Sequence, residues 1–165
     1  MNRKETTEFL SNLLITDRFS GAGKYWAREV SLDYGTTNVR RVDFMQFCPD
    51  GVIGVSGIEK GTFTSYEVKS CKADFKSGFG QNFETEKNYF VMPVKVYKEI
   101  MNEIPFGVGV MIPVPEYRKA EDEFFDPTEL TEETEWRLRI IKYPQPKIRS
   151  RSMIELLFCM LRSGR

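Results

Sequence analysis

The run Thr62-Phe63-Thr64-Ser65-Tyr66-Glu67-Val68-Lys69 constrains this chain more than any other stretch. Its β-branched and aromatic residues suit a pleated, half-buried surface, and a strand is predicted from Thr62 to Ser70. Alternate residues of a strand share a face. Phe63, Ser65, Glu67 and Lys69 therefore stand together, with Thr64, Tyr66 and Val68 opposite. A carboxylate and an ammonium group are thereby set side by side on a strand-like surface. Upstream, Val39 to Phe47 reads as another strand, with Arg41, Asp43, Met45 and Phe47 on one face and Val42, Phe44 and Gln46 on the other. Suitable pairing of the two strands brings Asp43, Glu67 and Lys69 to one patch.

The rest of the chain alternates helix and strand signals. Phe9, Leu10, Leu13 and Leu14 give residues 4–16 the apolar stripe of a helix. Tyr25 to Leu32 reads as a strand. Pro49-Asp50-Gly51 marks a turn, Val52 to Val55 a short strand, and Gly57 to Gly61 a break. Residues 71–87 read as a loop or a broken helix. Tyr89 to Met92 is a buried strand, Pro93 opens a helix over Val94 to Asn102, and Phe106 to Ile112 is an inner strand ended by Pro113 and Pro115. Trp136 to Tyr143 alternates apolar residues with Arg137 and Arg139, as a strand with one wet face does. Ser150 or Ser152 caps a last helix carrying Ile154, Leu157, Phe158 and Leu161. The expected fold class is mixed α/β (α+β), a mixed sheet flanked by helices. A single domain is expected over residues 1–165, with a core at about 4–115, an acidic surface excursion at 116–135, and a C-terminal strand and basic helix at 136–165.

Charge separates these segments. The formal net charge is 0, which excludes a uniformly basic nucleic-acid binder. Residues 116–135 nevertheless carry a net −7, and residues 136–165 a net +7. A basic C-terminus could supply phosphate contacts, or the two segments could be solvated faces that pair with each other; a third idea makes the acidic segment a lid over the basic one. Histidine is absent, which removes the commonest general base and transition-metal ligand. Cys48, Cys71 and Cys159 form no CxxC pair, which argues against structural zinc and a disulfide framework and for a reducing, cytoplasmic setting. The polar N-terminus does not read as a signal peptide, and no apolar run reaches membrane-spanning length.

Two carboxylates held close repel and desolvate one another unless a cation lies between them. Mg²⁺ (or Mn²⁺) favours one or two carboxylates with water and phosphate oxygens. Asp43 and Glu67 are candidate ligands, and the backbone carbonyl of Val68 could add an oxygen. Lys69 could then orient an attacking water and offset charge on a phosphate. The bland alternative is a cross-strand Glu67–Lys69 ion pair, worth roughly 0.2–1 kcal/mol and functionally silent. Asp74-Phe75-Lys76 repeats the acid-x-Lys pattern, but among glycines and serines.

Arg40-Arg41-Val42-Asp43-Phe44, the turn at Asp50-Gly51, Tyr66-Glu67-Val68-Lys69-Ser70-Cys71, Asp74-Phe75 and Asn88-Tyr89-Phe90-Val91-Met92-Pro93 together resemble the PD-(D/E)XK nuclease superfamily. The branch they look most like is the MmcB-like group of DNA-repair and phage-encoded proteins. The resemblance spans roughly residues 25–115. It implies a restriction-endonuclease-like core, a Mg²⁺-dependent endonuclease acting on DNA, Asp43 and Glu67 as metal ligands, and Lys69 as the catalytic lysine. Val42 stands where a proline is usual, and a glycine-rich stretch, 77–82, replaces the helix expected after Glu-x-Lys.

In related proteins an extra acid often joins the metal cluster from the direction of Glu29; otherwise Glu29 pairs with Arg28 or Arg41. Lys72, Lys76, Gln81, Asn82, Lys87, Arg149 and Arg151 are candidate DNA contacts, with Arg162 on the last helix. Phe79 and Tyr89 could stack on a base, although Tyr89 also suits a core. The alternative to an enzyme is a non-catalytic nucleic-acid- or partner-binding module on the same fold. A homodimer is compatible with either reading.

Overall fold

The computed structural model describes residues 1–51 and 54–164. One mixed sheet organises it, with its six strands in sequence order across the sheet. These are β1 (Tyr25–Leu32), β2 (Arg40–Cys48), β3 (Thr62–Val68), β4 (Lys87–Val91), β5 (Gly109–Pro115) and β6 (Trp136–Lys142). The first three form an antiparallel meander, β3, β4 and β5 run parallel, and β6 returns antiparallel to β5. Parallel neighbours need a crossover that covers the sheet. The helices α3 (Lys72–Lys76) and α4 (Val94–Ile100) lie within those crossovers. The sheet flanked by helices is the mixed α/β architecture that the alternating signals predict.

Each face of the sheet is covered differently. Helix α1 (Arg3–Leu14) begins with a capping box, in which Asn2 and Glu5 exchange side-chain and backbone bonds. It continues into a π-helical turn, Ile15–Phe19. Leu10, Leu14 and Phe19 from this unit pack on Phe44, Tyr66, Val68, Tyr89 and Val91. On the opposite face, α6 (Met153–Ser163) covers the β1–β2 end with Leu156, Cys159 and Met160. At the other end of that face, Phe75 of α3 and Val94, Val96 and Ile100 of α4 join Phe90, Val110 and Ile112. Between these two clusters runs a polar seam. There Thr85 Oγ1 donates to Ser65 Oγ (3.0 Å), and Asn88 Nδ2 donates to the Thr85 carbonyl (2.9 Å).

Several expectations are corrected. Val52 and Ile53 lie outside the described residues. Val55, placed on a short strand by the sequence, opens helix α2 (Val55–Glu59), and Gly57 lies inside that helix. The Asp50 N–H donates to the Gly57 carbonyl (2.8 Å), closing the loop that the Pro49-Asp50-Gly51 turn begins. Strand β5 passes through Pro113 and Pro115 instead of ending before them. β4 accompanies it only as far as Met111. Pro113 and Pro115 sit opposite Leu138 and Trp136 of β6, with Val114 opposite Arg137 between them, and just beyond them the Glu116 N–H donates to the Glu135 carbonyl (2.9 Å). The missing proline N–H groups thus fall on the side where β5 has no strand partner, where proline is tolerated.

The acidic segment is not only a surface excursion. It contains α5 (Ala120–Phe125), whose Glu123 is 1% exposed. The last helix also turns a different face inward. Ser152 caps it, as expected, its Oγ accepting the Glu155 N–H (3.2 Å). Ile154, Phe158 and Leu161, however, face solvent. Among the described residues, no helix is long and apolar enough to cross a membrane.

Candidate active site

The ladder between β2 and β3 ends at Phe44 opposite Tyr66. One step further the strands no longer bond through their backbones. The Val68 N–H instead donates to Asp43 Oδ2 at 2.9 Å. A side-chain carboxylate thus replaces a backbone carbonyl where the strands part, beside Glu67. Lys69 remains attached to the sheet, its N–H donating to the Val91 carbonyl (2.9 Å).

Face parity holds on β3: Phe63 packs toward α6, while Tyr66 and Val68 pack toward α1. It breaks on β2. Val42 packs toward α6 together with Met45 and Phe47, although it was expected on the opposite face with Phe44. The break coincides with Glu29 across the ladder, which has a φ of 51°. That left-handed residue shifts the alternation in β1, so Ala27 and Val30 both reach the α6 cluster. Asp43 reaches Glu67 at this irregular step, not through regular alternation.

Glu67 and Lys69 are 4% and 3% exposed. They lie at the inner end of an open cleft of about 680 Å³. Asp43, Val68 and Asp74 also line it, with Arg3, Arg40 and Arg41 and the loop residues Gly78, Phe79, Gly80 and Asn82. The Lys69 Nζ donates to the Phe79 carbonyl at 2.6 Å. Burial pushes the Glu67 carboxyl up to about 10, the neighbouring Asp43 charge adding to the effect and the Lys69 ammonium opposing it. Asp43 also rises through burial, against the Val68 N–H bond and the Lys69 charge. The two carboxyl groups perturb each other, and Glu67 is the one that holds a proton at neutral pH.

The glycine-rich stretch contributes directly to this geometry. A Cβ on Gly80 would lie 2.2 Å from Glu67 Oε2, and Gly80 has a φ of +73°. Gln81 Nε2 donates to the Phe75 carbonyl (3.1 Å), and Asn82 Nδ2 to the Arg41 carbonyl (3.2 Å). Both amides therefore tie the loop down. No sequence signal pointed to the Phe79 carbonyl, because a backbone acceptor carries no residue preference.

Other sequence candidates are placed away from the acidic pair or engaged elsewhere. Glu29 lies outside the cleft lining and pairs with Arg41 at 3.8 Å. Asp74 accepts from the Ser70 N–H (3.2 Å) and pairs with Arg3 (3.1 Å), while Lys76 pairs with Glu103. The Asp74–Lys76 pair thus anchors α3 instead of forming a second strand site. Lys72 pairs with Glu99 at 3.9 Å. Lys87 is exposed at the start of β4 and is not among the cleft-lining residues. Tyr89 is core, stacked on Tyr66 with 5.5 Å between ring centroids. Arg149 and Arg151 precede α6 and are held internally. Arg149 pairs with Glu86 (2.6 Å); Arg151 pairs with Asp33 and with Glu155 (2.7 Å each). Arg162 stacks over Tyr34, 3.7 Å from the ring centroid. The acidic segment covers neither Arg149 nor Arg151; its Glu116 pairs with Arg137 of β6 (3.2 Å).

The donor chemistry fits a hard divalent cation. Asp43 and Glu67 offer carboxylate oxygens into a cleft where, without a cation, one of them must stay protonated. Among the described residues no group of three or more His, Cys, Asp or Glu side chains is arranged to hold a metal. Two carboxylates with remaining positions open to water and substrate oxygens are what Mg²⁺ tolerates and a structural transition-metal site does not.

No protein-family model matches the sequence, and no curated protein matches it. Among solved structures, a protein of unknown function from Silicibacter pomeroyi is similar, with a TM-score of 0.57 and 15% sequence identity over 93% of this chain and 82% of that one. At that identity the likeness concerns the fold alone.

Proposed function

We propose that this protein is a Mg²⁺- or Mn²⁺-dependent nuclease that hydrolyses DNA phosphodiester bonds, on a restriction-endonuclease-like core. The observation that carries this reading is the convergence of Asp43, Glu67 and Lys69 at the inner end of a cleft lined by Arg3, Arg40 and Arg41. Asp43, Glu67 and the Val68 carbonyl would hold the cation. A cation held there would supply Lewis-acid chemistry, lowering the pKa of a water and withdrawing charge from the scissile phosphate. The Val68 N–H fixes the orientation of Asp43. Lys69, aimed by the Phe79 carbonyl, positions the attacking water and balances negative charge growing on the phosphate oxygens. Arg41, whose exposed partner Glu29 is 3.8 Å away, holds a flanking phosphate as a charge-assisted hydrogen-bond donor, while Arg3 and Arg40, paired with Asp74 (3.1 Å) and Glu84 (2.9 Å), line the cleft from within those pairs. Burial of Glu67 and Lys69 keeps this charge arrangement away from bulk solvent, where it would be screened.

The test is cleavage of single-stranded, double-stranded and mismatched DNA with Mg²⁺ or Mn²⁺, beside Asp43→Ala and Lys69→Ala. Both substitutions should abolish cleavage; activity that survives both would remove the site from the mechanism.

A non-catalytic binding module on the same fold is the second reading, favoured by Lys69 Nζ and Asp43 both being already engaged within the protein, by the Phe79 carbonyl and the Val68 N–H. Calorimetry separates the two. Mn²⁺ binding that disappears in Asp43→Ala and Glu67→Gln supports the enzyme, and no Mn²⁺ binding by the unaltered protein supports the module.

A further inference from the structure

Phe79 stands out within its loop. The neighbouring phenylalanines are packed: Phe75 and Phe83 both meet Phe90 edge-on, at 5.4 and 5.7 Å. Phe79 is 81% exposed and lines the cleft beside Glu67 and Lys69. The backbone beneath it is tied down. Its carbonyl accepts from Lys69, the Gly78 N–H donates to the Phe75 carbonyl (3.3 Å), and Gln81 bonds to the same carbonyl. An apolar ring is thus left in water on an anchored loop, at a fixed offset from the proposed reacting centre.

An exposed aromatic face next to a phosphate-binding cleft suits an unpaired nucleobase. Stacking on an aromatic ring tolerates any base, because every base has a π-face. In a duplex both faces of a base are already stacked on its neighbours, so the ring gains nothing without opening the helix. Glu67 and Lys69 are also nearly inaccessible from outside the cleft, which suits a flexible strand that bends inward. From these observations we infer that the substrate is single-stranded DNA, and that Phe79 selects it by stacking on a base adjoining the scissile phosphate. This rests on the nuclease reading above. It adds the substrate class and a specificity-determining residue.

The experiment compares the unaltered protein, Phe79→Ala and Phe79→Tyr on a short single-stranded oligonucleotide and on its duplex. Binding is read by fluorescence anisotropy in EDTA and cleavage in Mn²⁺, with thermal melting to verify folding. Phe79→Ala keeps the backbone carbonyl that holds Lys69. It is expected to weaken single-strand binding about tenfold, the scale of one lost base–aromatic stack, and to leave duplex binding unchanged. Phe79→Tyr should restore single-strand binding. Unaltered single-strand binding by Phe79→Ala, or preferred cleavage of duplex by the unaltered protein, overturns the inference while the nuclease reading stands. Neither binding nor cleavage of any DNA overturns both.

Discussion

Gly80 lies against the carboxylate of Glu67 so closely that a single methyl at its Cα would come within 2.2 Å of Oε2. Its φ of +73° would strain any other residue as well. Gly80→Ala is therefore expected to displace Glu67 and weaken Mn²⁺ binding about tenfold or more. Backbone strain of about 1 kcal/mol should also lower the melting temperature by ~2–4 °C. Adding Glu67→Asp to Gly80→Ala withdraws the carboxylate by one methylene and should relieve the contact with the new methyl, while the part of the melting-temperature loss that comes from the φ strain remains. Calorimetry and thermal melts check both parts, and Mn²⁺ affinity unchanged in Gly80→Ala would contradict the contact.

Glu67 makes the metal-free protein pH-sensitive. Its carboxyl is raised from 4.5 to about 10 on folding, so the folded state keeps a proton that the unfolded chain gives up. Its contribution to stability is fully present below about pH 4.5 and is lost as pH rises toward 10. Asp43, also raised, acts in the same direction. In EDTA the melting temperature should fall between about pH 6 and pH 9. Glu67→Gln, which cannot ionise, should flatten that slope and melt higher than the unaltered protein at the alkaline end. A melting curve of Glu67→Gln with the same slope would place the titration elsewhere.

The parts of this arrangement legible in the sequence are those set by strand periodicity. Glu67 and Lys69 share a face because they are two apart on β3, and Tyr66 and Val68 face the core for the same reason. Asp43 was found with the right partners but by the wrong geometry: the left-handed Glu29 shifts the alternation of β1 opposite it, and backbone conformation at a glutamate has no sequence signature. The role of residues 77–82 was not legible because Lys69 is held by a main-chain oxygen. The face of α6 was misjudged because Ile154, Leu156, Leu157, Phe158, Met160 and Leu161 leave little polar contrast around the helix. Arg149 and Arg151 looked available for phosphate because Asp33, Glu84 and Glu86 are distant in sequence and meet them only in the fold.

Those arginines and the cleft arginines should behave differently. Arg41 is solvent-exposed, 3.8 Å from an equally exposed Glu29. It can exchange that partner for a phosphate. Arg41→Ala is expected to reduce the slope of log affinity for DNA against log salt by about 0.7–0.9, one phosphate contact. Arg151 makes two short contacts to Asp33, 2.7 and 2.8 Å, in a bidentate geometry. Arg151→Ala should lower the melting temperature by several degrees and leave the salt slope intact. A reduced slope for Arg151→Ala would return that residue to the DNA-binding surface.

Glu123 tests whether the acidic segment is a loose lid or part of the folded body. Its carboxylate accepts the Thr128 N–H (2.7 Å), the Thr128 hydroxyl (2.8 Å) and the Arg118 guanidinium (3.1 Å). Arg118 in turn donates to the Asp126 carbonyl (2.9 Å). One buried carboxylate thus closes the turn after α5 and neutralises the arginine that spans it. Removing the carboxylate loses hydrogen bonds to a charged group, at a cost of about 1.5–3 kcal/mol, because Arg118 is 21% exposed and keeps Asp126 nearby. Glu123→Ala should therefore lower the melting temperature by ~3–12 °C. Glu123→Gln keeps the volume and one acceptor but turns an amide toward Arg118 or the Thr128 hydroxyl, and should fall between. Neither substitution touches the cleft, so DNA cleavage at low temperature should match the unaltered protein. A lid would give the opposite pattern: little change in melting and a clear change in cleavage.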